Sequence, residues 1–207
     1  GDGGYDKKSP RNFVPDVGDP QMLFLANNLS RMKDSELGTR IVEVHNGSSL
    51  FTGNAGGGES NLRRYIIEND LLEAIIAMPE KDFYNTGIGT FIWVVTNRKE
   101  PRRRGLVQLI DATAIKTPLR KNLGEKNCET NADDRRRILR LLMDFRETSE
   151  SKIFPNKEFG YWQIKVDRPL RLRVVPDADL NAGDLNEKQI AECRHAIAAV
   201  PADTPLD

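Results

Sequence analysis

The sequence predicts an α/β domain, half of a doubly wound sheet, from three features. Up to Asp111, apolar residues switch between helical spacing and short β-branched runs in the order helix, strand, helix, strand, strand. The last two strands follow each other closely, which suggests an antiparallel hairpin at the sheet edge. No G-x-G-x-x-G follows a strand, so the half of such a sheet that cradles a nucleotide is not expected here.

Gly1 to Pro20, rich in Gly, Asp and Pro, reads as a loop, and the chain is expected to start in the middle of a longer protein. Asp19 before Pro20 resembles a helix N-cap with proline in the first turn. Met22, Leu25, Ala26, Leu29 and Met32 then recur on one helical face, with the helix ending before Gly38. Arg40 to Val44 alternates as a strand, and His45 to Gly58 reads as a loop. A second helix is expected at Ser60 to Asp70, then buried strands at Leu72 to Met78 and Gly89 to Thr96, and a fourth strand from Leu106 to Ile110. Gly56-Gly57-Gly58 precedes a helix without a preceding strand signature, which favours a loop over a phosphate cradle.

Beyond Thr117 the sequence turns polar. Ala132 to Arg146 places Ile138, Leu141, Leu142 and Phe145 on one helical face opposite arginines. Tyr161 to Val166 alternates in period two, as a short strand or extended strap closed by Pro169. From Asp184, with Glu187 three positions on, a capping-box-like start leads to Ile190, Cys193, Ile197 and Val200 on one face, which suits an assembly element. The expected division is a sheet-bearing part, residues 1–125, and a helical and extended tail, residues 126–207, for subunit assembly.

Lys+Arg and Asp+Glu both number 31, so no global charge draws the chain to nucleic acid or membrane, and any DNA contact must come from local clustering. With 30% charged residues against 38% hydrophobic ones, part of the surface is expected to be covered by a partner. Cys128 and Cys193 stand apart with no companion His cluster, which argues against a zinc site or disulfide framework and places the chain in a reducing cytoplasm. No apolar stretch approaches the ~20 residues that span a bilayer.

The run Val44-His45-Asn46-Gly47-Ser48-Ser49-Leu50-Phe51-Thr52-Gly53, then Arg63 to Ile76, then Phe83-Tyr84-Asn85-Thr86-Gly87-Ile88, resembles the modification subunit of type I restriction-modification systems. Lys121-Asn122-Leu123-Gly124, Ser151-Lys152-Ile153-Phe154, and Phe159-Gly160-Tyr161-Trp162 to Pro169-Leu170 extend the likeness, which runs from about Asp19 to Leu172. The resemblance implies the second half of a Rossmann-like, S-adenosylmethionine-dependent methyltransferase sheet with a helical C-terminal extension. It implies a site-specific DNA adenine methyltransferase that moves a methyl group from S-adenosylmethionine to adenine N6. The implied partners are DNA, a specificity subunit that reads the target, a second modification subunit and a restriction subunit. In that family an Asn-Pro-Pro-aromatic tetrapeptide accepts hydrogen bonds from the adenine amine and aligns its lone pair with the methylsulfonium carbon. None of the 11 prolines here adjoins another, so no catalytic residue is expected in this chain. The tetrapeptide, the cofactor loop and most of the S-adenosylmethionine site are expected upstream of Gly1, leaving this chain inactive alone.

What remains by that resemblance is the target-base wall: Phe83, with Tyr84, Asn85 and Thr86 after it, and Asn46 at the carboxyl end of a strand. An adenine extruded from the duplex needs aromatic faces to stack on. Composition alone favours Phe83 as core and Asn46-Gly47 as a simple turn; the resemblance reverses both. His45 reads as a partly buried loop residue and His195 as solvent-facing. Between Arg98 and Lys121 stand eight Lys or Arg against two acids. Arg102, Arg103, Arg104, Lys116, Arg120 and Lys121 suit either a DNA-phosphate patch or a solvated hairpin tip. Arg135, Arg136, Arg137 and Arg140 read as a solvated helix face. Two rivals stay open: a non-catalytic DNA-binding or assembly module, and the same sheet fused to a nuclease.

Overall fold

The computed structural model describes residues 15, 18–84, 86–164, 166 and 187–198. In chain order the elements are α1 (Gln21–Ser30), β1 (Arg40–Asn46), the one-turn α2 (Ser48–Phe51), α3 (Gly58–Glu68), β2 (Leu72–Ala77), β3 (Thr90–Thr96) and β4 (Leu106–Asp111). Then come β5 (Thr117–Leu123), β6 (Lys126–Glu129), α4 (Ala132–Asp144), β7 (Ser151–Pro155) and α5 (Glu187–Ala198). Contacts divide the chain into two units, Gly1–Gln163 and Ile164–Asp207. The sheet-bearing unit thus runs past residue 125, the limit read from the sequence, because β7 pairs with β4 and α4 packs on the sheet.

Five strands form one sheet in the order β1-β3-β2-β4-β7, and β5 pairs with β6 in a separate hairpin. Only β2 and β4 are parallel neighbours; the other pairs are antiparallel. The sheet is therefore mixed, and the β2–β3 hairpin is internal, not at the edge. The reason is that β3 pairs along its whole length with β1 on its other side, Arg40 opposite Thr96 through Asn46 opposite Thr90. Since β1 and β2 both run antiparallel to β3, they point the same way, and α3 joins them by a crossover.

Period-two alternation sends side chains to two faces. Ile41, Ile75, Trp93 and Val107 meet Met22 and Leu25 of α1 and Leu62 and Ile66 of α3. Ala74, Ile76, Val94 and Ile110 meet Ile138 of α4. At the edge, Val42 and Val44 remain 60% and 52% exposed.

Several elements differ from expectation. Helix α1 stops at Ser30 rather than near Gly38, and the Ser30 hydroxyl bonds back to the Asn27 carbonyl at 2.7 Å, a local alternative that weakens a helix end. Pro20 holds the N-cap position and Asp19 does not cap. The loop after His45 contains α2, and His45 itself lies in β1. The polar stretch after Thr117 forms the β5–β6 hairpin, in which Leu123 pairs with Lys126 across a two-residue link opened by Gly124 at φ +60°. Tyr161 to Ile164 carries no strand. Helix α5 is present as expected from Glu187, whereas Asp184, Pro169 and Val200 lie outside the described residues.

Candidate functional site

Because β1, β2 and β4 point the same way, their carboxyl ends share one edge of the sheet with the start of β3. Asn46 faces Thr90 in register, Ala77 faces Phe91, and Ala77 also faces Asp111. The segment from Met78 to Gly89 leaves from this edge, so the fold brings Asn46 and the Phe83–Tyr84 loop to the same end of the sheet, where open α/β sheets bind ligands.

Asn46 is held firmly. Its Oδ1 accepts the Ser48 N–H and the Gln21 Nε2 amide, each at 2.9 Å, and the Ser48 hydroxyl, while its own N–H donates to Gln21 Oε1 at 2.7 Å. A backbone N–H can only donate, so the atom facing Ser48 must be the oxygen, and Nδ2 points away. The Asp19 carboxylate closes the network, accepting Gln21 Nε2 at 2.7 Å and sharing with Asn46 Oδ1 the single proton of the Ser48 hydroxyl, 2.7 Å away. Those hydrogen bonds, Gln21 first, hold the Asp19 carboxyl below its ordinary range. Asp19 was read from the sequence only as a helix N-cap and Gln21 was not singled out, since only the folded chain sets them beside Asn46.

Behind this end, His45 is buried against Trp93 with ring centroids 5.6 Å apart, and its Nε2 lies 3.0 Å from Glu43 Oε2. His195 is exposed on α5.

Phe83 is 41% exposed and Tyr84 68%, so Phe83 is not core. Both rings line a cleft of about 630 Å³ with Met78, Ile92 and Leu139, rimmed by Lys126 and Arg135. Thr86 is half-buried next to them, and Asn85 lies outside the described residues. Asn46 shares the edge but does not line the cleft. A larger cleft, about 1260 Å³, opens on the opposite face between α3, β4 and the 154–162 segment, and holds none of the candidate residues.

The loop carrying Phe83 is gripped at its root. Asn127 N–H donates to the Lys81 carbonyl at 3.2 Å, and Cys128 Sγ to the Glu80 carbonyl at 3.3 Å. Asp82 accepts the Thr130 N–H at 3.1 Å, the Thr130 hydroxyl at 2.6 Å and the Lys126 ammonium at 3.3 Å.

The basic patch read as one from the sequence is two. Strand β4 separates Arg102–Arg104 at its amino end from Lys116, Arg120 and Lys121 beyond its carboxyl end, and six residues of strand span about 20 Å. Arg103 is 2% exposed, bonded to Gln108 Oε1 at 3.1 Å, paired with Glu73 at 3.4 Å and stacked 4.3 Å from the Phe145 ring centroid. It has no face to offer a phosphate. Arg102 donates to the Met143 carbonyl at 2.7 Å and pairs with Glu100, so it closes the carboxyl end of α4. Arg104, Lys116, Arg120 and Lys121 are exposed. On α4, Arg136 pairs with Asp133 and Arg137 with Glu150, while Arg135 donates to the Thr130 carbonyl.

The glycine run before α3, weighed in the sequence as a possible phosphate cradle, is a turn-rich loop. The glycines before α3 fold onto their own loop: a Cβ on Gly53 would meet Glu59 Oε2 at 2.8 Å, and one on Gly57 the Asn54 carbonyl at 3.0 Å. Gly53 and Gly57 thus serve close packing within the loop, whereas Gly56, at φ +83° with open space where a Cβ would stand, lines the larger cleft.

Residues 6–156 match the profile of the N-6 DNA methylase family. The chain is 40% identical over 58 residues to the type I restriction enzyme MjaVII methylase subunit of Methanocaldococcus jannaschii, covering 28% of this chain and 10% of that protein. It is 34% identical over 76 residues to the MjaVIII methylase subunit of the same organism, covering 36% of this chain and 13% of that one. Among solved structures, a type I restriction-modification system methyltransferase subunit from Streptococcus thermophilus superposes with a TM-score of 0.61 at 19% identity, over 75% of this chain and 31% of the other. A chain from a structure of type I restriction-modification complex assembly and conformational transition gives a TM-score of 0.50 at 17% identity, over 85% of this chain and 37% of the other. These structural likenesses establish a shared mixed α/β fold, and the matched regions span only a minor share of each relative's length.

Proposed function

The chain belongs to the N-6 DNA methylase family, and from that premise we propose that it is part of the modification subunit of a type I restriction-modification system, furnishing the target-base wall of the adenine methyltransferase site. The reaction is methyl transfer from S-adenosylmethionine to adenine N6. DNA, a specificity subunit, a second modification subunit and a restriction subunit are the partners, and this chain alone is inactive. In this reading the sheet is the second half of a Rossmann-like methyltransferase sheet, with its cofactor loop and Asn-Pro-Pro-aromatic tetrapeptide in another segment of the whole subunit.

The observation that carries the reading is the exposure of Phe83 and Tyr84 over an apolar cleft at the carboxyl edge of the sheet. Two large rings half in water cost free energy unless something flat covers them, and an extruded base supplies a flat face. Asn46 stands at the same end of the sheet, opposite Thr90, and Asn85 and Thr86 follow Tyr84 in sequence.

Stacking on an aromatic ring is typically worth about 1–3 kcal/mol per base. In the complete enzyme Phe83→Ala should therefore slow methylation roughly ten- to a hundred-fold, at about one decade per 1.4 kcal/mol. Phe83→Trp should retain most of the rate, because stacking needs a flat face more than a given ring. Melting temperature measured beside methylation rate separates stacking from packing: a destabilised but fully active Phe83→Ala enzyme would remove Phe83 from the site.

A further inference from the structure

The β5–β6 hairpin is a two-stranded sheet of its own, and such a ribbon is marginal unless it docks on something. Its dock is the root of the aromatic loop. Three consecutive residues, Glu80, Lys81 and Asp82, accept hydrogen bonds from β6 or from the lead into α4, and Cys128 of β6 is buried. Asp82 is central: its side chain is only 10% exposed, and both carboxylate oxygens are used. Beside it Lys81 holds φ +60°, a left-handed conformation that a lysine keeps only where surrounding contacts impose it. The next two residues are Phe83 and Tyr84, which project into the cleft. In the irregular stretch of β5 between Pro118 and Leu123, on the same ribbon, stand exposed Arg120 and Lys121.

We propose that Asp82 is a positioning residue that ties the aromatic loop to the basic hairpin, so that seating the hairpin on a DNA phosphate fixes where Phe83 stands. The inference rests on the base-stacking reading above. Asp82 touches neither base nor cofactor in this scheme; it acts through Phe83. Deleting its carboxylate frees the loop root from Thr130 and Lys126 while leaving the basic side chains of the ribbon in place.

The test is a double-mutant cycle in the complete modification enzyme with its partner subunits, following methyl incorporation into unmodified DNA. Asp82→Ala should lower kcat by roughly tenfold, a coupling of ordinary size for contacting residues, with KM for DNA and its salt dependence unchanged. Combining it with Phe83→Ala should cost no more than Phe83→Ala alone, since Asp82 has nothing left to position. Thr130→Val, nearly isosteric, removes one of the three donors and should lower kcat in the same direction by less, with the melting temperature retained. Additive losses in the double variant, or a full rate in Asp82→Ala and Thr130→Val while Phe83→Ala is slow, would overturn the coupling and leave the stacking reading standing. A full rate in Phe83→Ala would instead remove the stacking reading, and the coupling with it.

Discussion

Arg102, Arg103 and Arg104 are adjacent and chemically identical, yet the fold assigns each a different task. Arg103 turns inward to Glu73, Gln108 and Phe145; Arg102 closes the end of α4; Arg104 faces water. No local pattern separates three arginines in a row. The difference comes from Glu73, Gln108 and Phe145, contributed by two strands and a helix end far apart in sequence. Phe83 is the converse case, because its exposure follows from the loop leaving the sheet and contradicts what hydrophobicity alone suggests. For Arg103→Ala the expected outcome is a loss of roughly 3 kcal/mol, the lower end for removing one partner of a buried pair, since Arg40 still reaches Glu73 at 3.1 Å. At about 2–4 °C per kcal/mol this lowers the melting temperature by some 6–12 °C. Affinity for DNA should not change, and measuring both quantities on one preparation checks the assignment.

At the level of elements, β2, β3, α3 and α4 were legible because burial on one or both sides forces apolar runs or stripes into the sequence. The helices show it as spaced Leu and Ile, the central strands as unbroken Ile, Val and Trp. β5 and β7 carry no such mark. β5 exposes most of its side chains, so no alternation is imposed on it, and β7 is a short edge strand ending in Pro155 whose partner β4 was made long before. The hydrogen bonds from the β5–β6 hairpin to the root of the Phe83 loop also divide the basic patch. Arg120 and Lys121 extend from the edge that carries Phe83, whereas Arg104 sits at the far end of β4. Replacing Arg120 or Lys121 by Ala should each reduce the slope of log affinity for DNA against log salt by about 1. Arg104→Ala should leave that slope as it is, and an equal effect from Arg104 would return the patch to a single surface.

For the molecule as a whole, a mixed sheet covered on both faces by helices gives this chain a core of its own. The alternating helix and strand signals announced an α/β domain, while strand order and direction depend on pairings that no local pattern encodes. Calorimetry on the isolated 207-residue chain should show no binding of S-adenosylmethionine at micromolar concentration. Micromolar binding would mean that the cofactor site lies among residues read here as loop packing.

The placement of β1 also sets a timetable for the nascent polypeptide. Its sole ladder partner among the described residues is β3, which lies about 50 residues downstream; at roughly 5–20 residues per second of synthesis the gap lasts a few seconds. The β2–β3 hairpin can close locally, so Thr90–Thr96 is the template on which Arg40–Asn46 finds its register. Val42 and Val44 therefore emerge from the ribosome before there is a strand beside them to pair with.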